Sequence, residues 1–523
     1  MKTLPLGTQT FAKIVENDML YVDKTKYVYD LTHSYGYVFL SRPRRFGKSL
    51  LCDTFKMYFE GRKDMFQGLA IMDLEKDWKK YPVIHLDLSI REENIADVRN
   101  SIKSLLAEYE DLYSVKPNSD DTLSVRLSAI VKAAYNQTGQ RVVVIIDEYD
   151  AALLNSVDDP KFFKEVRGTL NSLFSPLKSL DSCIKFLFIT GISKFSQVSI
   201  FSSLNNLVDI SLDSRYEGVC GFTKEEMRRD FSEYVQRIAD EYGLDLESAY
   251  ETLRENYDGY HFSPKMTCDV FNPFSILNSF DKRNLNSYWF DSASPSALIK
   301  LVNKFELDFG ELENYNADLE SFSVPIESID DPIPLFFQSG YLTIKDYDRD
   351  VNSYTLSYPN KEVRVAFAKQ LLRYKTNNPP KFTNFSNSYK AFWKGDDLDR
   401  FLLSFKAFLK GFPFSLDNSD KNEKHYHGLL YTALVSFGAD VFAEKEQYEG
   451  KPDIILKMPK TIYILELKYG KSVGTALSQA KKKDYAGEFA DDKRPVKIVG
   501  INFLEEEVEN EIFKYKVKVV REK

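Results

Sequence analysis

Five short apolar runs alternate with longer helix-patterned stretches over the first 215 or so residues: YVFLS (37–41), PVIHLDLS (82–89), VVVIID (142–147), IKFLFITG (184–191) and LVDISL (207–212). The runs are almost continuously hydrophobic, as strands buried on both faces must be, and such strands pair in parallel under helices. The alternation predicts an α/β doubly wound sheet over residues 1–215. From about 222 the pattern turns helical, beginning with Thr223 and Glu226 at capping-box spacing. Residues 216–375 are expected to be mainly helical with short strands, for instance YLTIKDYD (341–348). The polar, Asn/Pro-rich stretch 376–390 reads as a linker, opening a compact α/β unit over 376–523.

Composition narrows the function classes. A length of 523 residues with 43% hydrophobic and 14% aromatic residues gives each part a core of its own and excludes a disordered chain. A net charge of −8 argues against nonspecific coating of nucleic acid, which needs a basic excess, so any such contact must be a local patch. Cys52, Cys183, Cys220 and Cys268 are scattered, without Cys-x-x-Cys spacing, and read as buried small hydrophobes in a reducing compartment. The apolar runs are strand-sized and the N-terminus lacks a signal-peptide core, so no membrane span is expected and the cytoplasm is the expected location.

Strand YVFLS runs into RPRRFGKS (42–49) and then a helix. Backbone N–H groups at such a helix start cradle phosphate oxygens. Lys48 can reach the terminal phosphates, and the Ser49 hydroxyl can ligate Mg²⁺. Arg45, Phe46, Gly47, Lys48, Ser49 and Leu50 are therefore the expected nucleotide-binding loop, although Arg42 stands where the Walker A pattern has its first glycine. VVVIIDEYD (142–150) is the matching Walker B strand: Asp147 is expected to hold Mg²⁺ through water and Glu148 to polarise the attacking water. Thr190, at the next strand end and followed by Ser193 and Lys194, is a candidate sensor of the γ-phosphate. Arg215 reads more readily as a surface ion pair than as a nucleotide contact.

The segment KPDIILKMPKTIYILELKYG (451–470) reads as two strands around a turn at Met458–Lys460. Side chains two apart on a strand share a face, so Glu466 and Lys468 point together, and the hairpin can bring Asp453 beside them. Convergent carboxylates suit a hard cation such as Mg²⁺, and a neighbouring lysine can position water and offset charge on a phosphate. Pro452-Asp453 with Glu466-Leu467-Lys468 is the PD-(D/E)XK arrangement. The His425-x-His427 pair is a weaker alternative, because residues two apart on a helix diverge by roughly 200°.

Linked segments along nearly the whole chain resemble one family. They include YVDKTKYVYDL (21–31), RPRRFGKSLL (42–51), IIDEYDAAL (145–153), NYDGYHF (256–262), VFNPFSIL (270–277) and FFQSGYLTIKDYD (336–348). The family is that of the AAA-ATPase-like proteins with a PD-(D/E)XK nuclease domain. The resemblance implies a P-loop NTPase sheet of the ASCE/AAA type, a helical lid or connecting region, and a restriction-endonuclease-like C-terminal domain. It implies DNA or RNA as substrate. ATP and Mg²⁺ are the cofactors the motifs call for. Nucleotide is expected to gate cleavage, because an ungated nuclease in the cytoplasm is dangerous, and defence against mobile elements is the expected role. The resemblance also adds Glu423, on the first nuclease helix, and Gln479, on a later helix, to the catalytic set. Tyr485 falls six residues after Gln479 instead of four, on a different helix face. Homo-oligomerisation is compatible with the family. The alternative is a nucleotide-switched scaffold whose nuclease-like domain does not cut.

Overall fold

The five apolar runs become one parallel sheet in the computed structural model: β1 (Tyr37–Ser41), β2 (Val83–Asp87), β3 (Val142–Asp147), β4 (Ile184–Gly191) and β5 (Val208–Asp209), in the order β2-β3-β4-β1-β5. The structure describes residues 1–523 except 195–203, 205, 293–297, 300, 301, 303, 304, 306, 308, 319–330, 377, 378, 411–421, 444–450, 484, 509, 510, 522 and 523. TGISKFSQVSIFSSLNNLVDIS (190–211), a further segment of that resemblance, therefore lies partly outside the described residues. β1, β3 and nearly all of β4 are buried along their length, which is why their runs lack polar alternation. The helix Lys48–Phe59 packs Phe55 and Phe59 onto Phe186 and Phe188 of β4, fixing the start of that helix over the sheet.

Two compact units emerge: residues 1–293 with 315–360, and residues 294–314 with 361–523. In the first, the short pair β6 (Phe222–Thr223) and β7 (Val270–Phe271) accompanies the helices Lys224–Asp230, Ser232–Tyr242, Leu246–Tyr257 and Pro273–Lys282. The Thr223–Glu226 capping box forms as expected, and Asn272 caps the last of these helices with Pro273 in its first turn. The strands β8 (Tyr315–Asp318), β9 (Thr343–Asp348) and β10 (Ser353–Ser357) make an antiparallel sheet in the order β8-β10-β9. Among the described residues no helix is long and apolar enough to cross a membrane.

The turn after Tyr257 holds a buried acid. Burial and then Asp269 push the Asp258 carboxyl up to about 8, with Arg254 opposing. Lys345 also faces it, donating to the carbonyls of Gly259 and Pro359 at 3.3 and 2.9 Å. A carboxyl raised above its unfolded value stabilises the fold fully below that unfolded value, and the contribution disappears as pH rises through about 8. Asp258→Asn is therefore expected to flatten the alkaline loss of stability by a few kcal/mol between about pH 5 and about pH 9. Thermal unfolding of both proteins at the two pH values checks this, and parallel losses would contradict it.

In the second unit, β11 (Asp440–Ala443), β12 (Ile454–Lys457), β13 (Ile462–Tyr469), β14 (Val496–Val508) and β15 (Glu511–Arg521) form a sheet in that order. Only the β13–β14 pair is parallel, and the helix Val473–Lys482 makes its crossover. The stretch 376–390, expected as a linker, is instead largely the helix Pro379–Gly395. Phe382, Phe385, Tyr389 and Phe392 recur at spacings of three and four and are all buried, so an apolar stripe overrides the Asn/Pro-rich composition. Phe385 stacks on Phe401 and Phe405 of the following helix, Leu398–Leu409. Residues 294–314 join this unit through Glu313, which pairs with Arg364 at 2.5 Å and accepts from the Tyr431 hydroxyl.

Candidate functional site

The loop leaving β1 enters the helix Lys48–Phe59 through two left-handed residues, Arg45 at φ 70° and Gly47 at φ 95°. Gly47 caps the helix, and its lack of a Cβ makes that backbone inexpensive. Arg42 keeps φ out of the left-handed region, so the first Walker glycine is not required there. Its buried guanidinium instead donates to the carbonyls of Ser41, Ser211 and Tyr216 and lies 4.1 Å from the Phe262 ring centroid. The arginine thus ties the loop to the chain beyond β5.

Lys48 is buried, and its ammonium donates to the loop carbonyls of Arg42 at 3.0 Å and Pro43 at 3.1 Å. Ser49 lies beside Asp147, the last residue of β3, and favours its ionised form. Burial pushes the Asp147 carboxyl up to about 6, against the opposing pull of Ser49 and Lys48. Glu148 follows at φ 49°, a left-handed backbone that costs a non-glycine residue on the order of 1 kcal/mol and commonly marks functional positions. Arg45, Phe46, Gly47, Lys48, Ser49, Leu50 and Glu148 all line one cavity of about 420 Å³. That is the size of a small-ligand pocket.

Other placements differ from expectation. Thr190 does not line the cavity: it is fully buried, opposite Leu40 in the β1–β4 register, and its hydroxyl donates to the Leu40 carbonyl at 2.7 Å. Strand alternation turns it into the sheet, away from a phosphate. Arg215, by contrast, is the surface ion pair expected of it: it is exposed, pairs with Asp213 and donates to the Tyr35 hydroxyl. Asp150, read only as part of the Walker B run, is buried and accepts from the N–H groups of Ile192 and Ser193 and from the Ser193 hydroxyl. Gly191 permits this clamp, since a Cβ there would lie 2.5 Å from Asp150 Oδ1. Sequence reading missed Asp87, Arg91, Phe274 and Leu277 in the cavity lining, because they come from separate elements without a local motif.

The second site sits on the β12–β13 hairpin and the helix Glu423–Ser436, which Asn422 caps. Lys468 is its centre. The ammonium lies 3.0 Å from Glu423, 3.5 Å from Glu466 and 3.9 Å from Asp453. Burial opposes the lysine's charge, but Asp453, Glu423 and Glu466 outweigh it and raise the pKa. Glu466 has no exposed surface, and burial with the nearby Asp453 pushes its carboxyl up to about 8. Its Oε2 is buried without a partner. Asp453 accepts from the Leu467 N–H at 2.6 Å, and burial raises its carboxyl against that bond and Lys468. The three residues named from spacing, Asp453, Glu466 and Lys468, are thus brought together with Glu423, which the resemblance added.

Gln479 is half-buried on the helix Val473–Lys482 and hydrogen-bonds Tyr485, which is buried close to Glu466. The six-residue gap does not exclude Tyr485, because the helix ends at Lys482 and the chain leaves helical periodicity before it. The Tyr485 hydroxyl donates to the Lys451 carbonyl at 3.0 Å, bracing the strand that carries Asp453. His427, one turn after Glu423, places Nε2 2.9 Å from the Asp453 carbonyl, whereas the His425 N–H is spent on the Asn422 cap. Among the described residues neither imidazole belongs to a group of three or more ligand atoms within 4.8 Å of one another. Lys483 is exposed, and the side chains of Lys481 and Lys482 lie outside the described residues.

Comparison with known proteins agrees with this division. The family described as "Predicted AAA-ATPase" matches residues 5–201, and the "PD-(D/E)XK nuclease superfamily" matches 421–511. A relative from Azotobacter chroococcum mcd 1, described as "Uncharacterized protein in vnfD 5′ region", is 33% identical over 517 residues and 96% of each chain. Among solved structures, Drosophila ORC bound to AT-rich DNA and Cdc6 contributes a chain that is 12% identical, covering 69% of this chain and 91% of that one with a TM-score of 0.20. The Aeropyrum pernix ORC1 protein in complex with DNA is 11% identical, covering 66% and 90% with a TM-score of 0.24. Scores this low bear on neither fold nor ligand.

Proposed function

The chain belongs to the AAA-ATPase-like proteins that carry a C-terminal PD-(D/E)XK nuclease domain, and from that premise we propose an ATP-controlled, Mg²⁺-dependent nuclease. The observation that carries the cleavage reading is the convergence of Glu423, Asp453 and Glu466 on the Lys468 ammonium. Glu466 and Asp453 would hold the divalent cation; the unpartnered Glu466 Oε2 and the raised carboxyls fit a group still to be neutralised. A bound cation supplies Lewis acidity at the phosphoryl oxygen. Lys468 orients the attacking water and offsets charge on the phosphate as the water oxygen bonds phosphorus and the ester oxygen leaves. Gln479, on the neighbouring helix, and Tyr485, just beyond its end, hold the wall of the site.

At the other centre, Lys48 and the loop N–H groups bind the phosphates of ATP, Ser49 and Asp147 would hold its Mg²⁺, and Glu148 orients the hydrolytic water. Control of one centre by the other rests on their sharing a chain. A cytoplasmic nuclease needs restraint, which suits defence against invading DNA or RNA.

The test is purified full-length protein with labelled single- and double-stranded DNA and RNA, with Mg²⁺ or Mn²⁺, with and without ATP. Metal-dependent cleavage whose rate changes with ATP is the expected result. Nucleotide binding with no cleavage of any substrate would leave the scaffold reading in its place.

A further inference from the structure

Near the start of the helix that leaves the phosphate loop lies a mixed set of sulfur, nitrogen and oxygen donors. Among the described residues, Cys52, His85 and Asp147 are the one group of His, Cys, Asp and Glu side chains whose ligand atoms all lie within 4.8 Å of one another. Cys52 is on the helix that Gly47 caps, one turn beyond Ser49. His85 is on β2, two residues before the cavity-lining Asp87 and so on the same strand face. Asp147 ends β3. Three separate elements thus aim a thiol, an imidazole and a carboxylate at one point.

Two further observations point to a ligand. His85 Nε2 is buried and has no hydrogen-bond partner, a state that ordinarily costs on the order of 1–3 kcal/mol. His85 is also the partly exposed member of the trio and offers an approach for an ion.

We propose that Cys52, His85 and Asp147 form a zinc site, and that zinc bound there takes the Asp147 carboxylate away from the nucleotide's Mg²⁺. A sulfur, nitrogen and oxygen set suits a borderline cation and not Mg²⁺ itself. Tetrahedral donors roughly 2.0–2.3 Å from zinc lie ~3.3–3.8 Å apart, so shifts of about an ångström close the trio. Burial holds the Cys52 thiol well above its usual range, and binding releases its proton to solvent. Zinc therefore binds more tightly as pH rises. The site stands on the trio alone; the inhibition rests on the reading of Asp147 as a Mg²⁺ ligand.

The test begins with full-length protein stripped by a chelator and titrated with Co²⁺ as a spectroscopic stand-in. A thiolate-to-cobalt charge-transfer band is expected, to be bleached by one equivalent of Zn²⁺, lost in Cys52→Ser and in His85→Gln, and kept in Cys183→Ser. No band in the native protein, or a band surviving Cys52→Ser, overturns the site. Two independent variants guard against loss by misfolding, and each is checked by its melting transition. Binding of a fluorescent ATP analogue with Mg²⁺ is then measured with and without zinc. Apparent affinity is expected to fall about tenfold at zinc ten times its dissociation constant in the native protein, but not in Cys52→Ser. A cobalt band without this competition overturns the inhibitory half alone. A protein that binds no nucleotide at all sinks the nucleotide reading while the band still decides the zinc site.

Discussion

Lys468→Met is expected to lower cleavage roughly 10³-fold while leaving divalent-cation binding intact or tighter. Among the described residues the Lys468 ammonium is the cation placed among Glu423, Glu466 and Asp453, at 3.0, 3.5 and 3.9 Å. Methionine fills the buried volume without the charge, so three carboxylates remain and attract a cation more strongly. What is lost is the donor facing the water and the phosphate. Asp453→Asn is expected to do the reverse, weakening cation binding and cleavage together, because a carboxylate ligand becomes neutral. Single-turnover cleavage of labelled substrate over a Mg²⁺ or Mn²⁺ titration separates the two patterns. A Lys468→Met protein that cuts within a few-fold of the native rate would remove the lysine from the chemistry.

Where signals were local, the sequence carried them. The five apolar runs are legible because parallel strands are buried on both faces, and Glu466 with Lys468 is legible because a strand repeats every two residues. Asp453 was within reach because one short turn joins its strand to theirs. Other features depend on partners far along the chain. Nothing around residues 294–314 announces that Glu313 will meet Arg364 and Tyr431. The helix Pro379–Gly395 was hidden because composition was weighed above the spacing of its four aromatics. Thr190 lies at the strand end the sequence places it at, but its hydroxyl bonds the neighbouring strand, a cross-strand contact no local pattern announces. Cys52 and His85 share no motif, and only the packing of helix against β2 and β3 brings them to Asp147. Tyr485 shows the complementary error, in which helical periodicity was extended past the point where the helix stops.

Lys48→Ala is expected to weaken Mg²⁺–ATP binding on the order of 10²-fold, the equivalent of one or two charge-assisted hydrogen bonds. The Lys48 ammonium is held by the carbonyls of Arg42 and Pro43, at 3.0 and 3.1 Å. Those carbonyls keep the charge solvated inside the protein until phosphate oxygens replace them, so a buried lysine can wait there without a counter-ion. Alanine removes the phosphate partner and leaves two loop acceptors without their donor. It also removes one of the two influences that hold the Asp147 carboxyl down near 6, so Mg²⁺ meets a more reluctant ligand. The nucleotide loss should therefore grow as pH falls towards that value, more steeply than in the native protein. Equilibrium titration with a fluorescent ATP analogue over a pH series measures both the drop and its slope, and an unchanged affinity would refute the phosphate-loop assignment. The same variant addresses control: if ATP acts through this loop, cleavage by Lys48→Ala should stop responding to ATP while Asp453, Glu466 and Lys468 continue to cut.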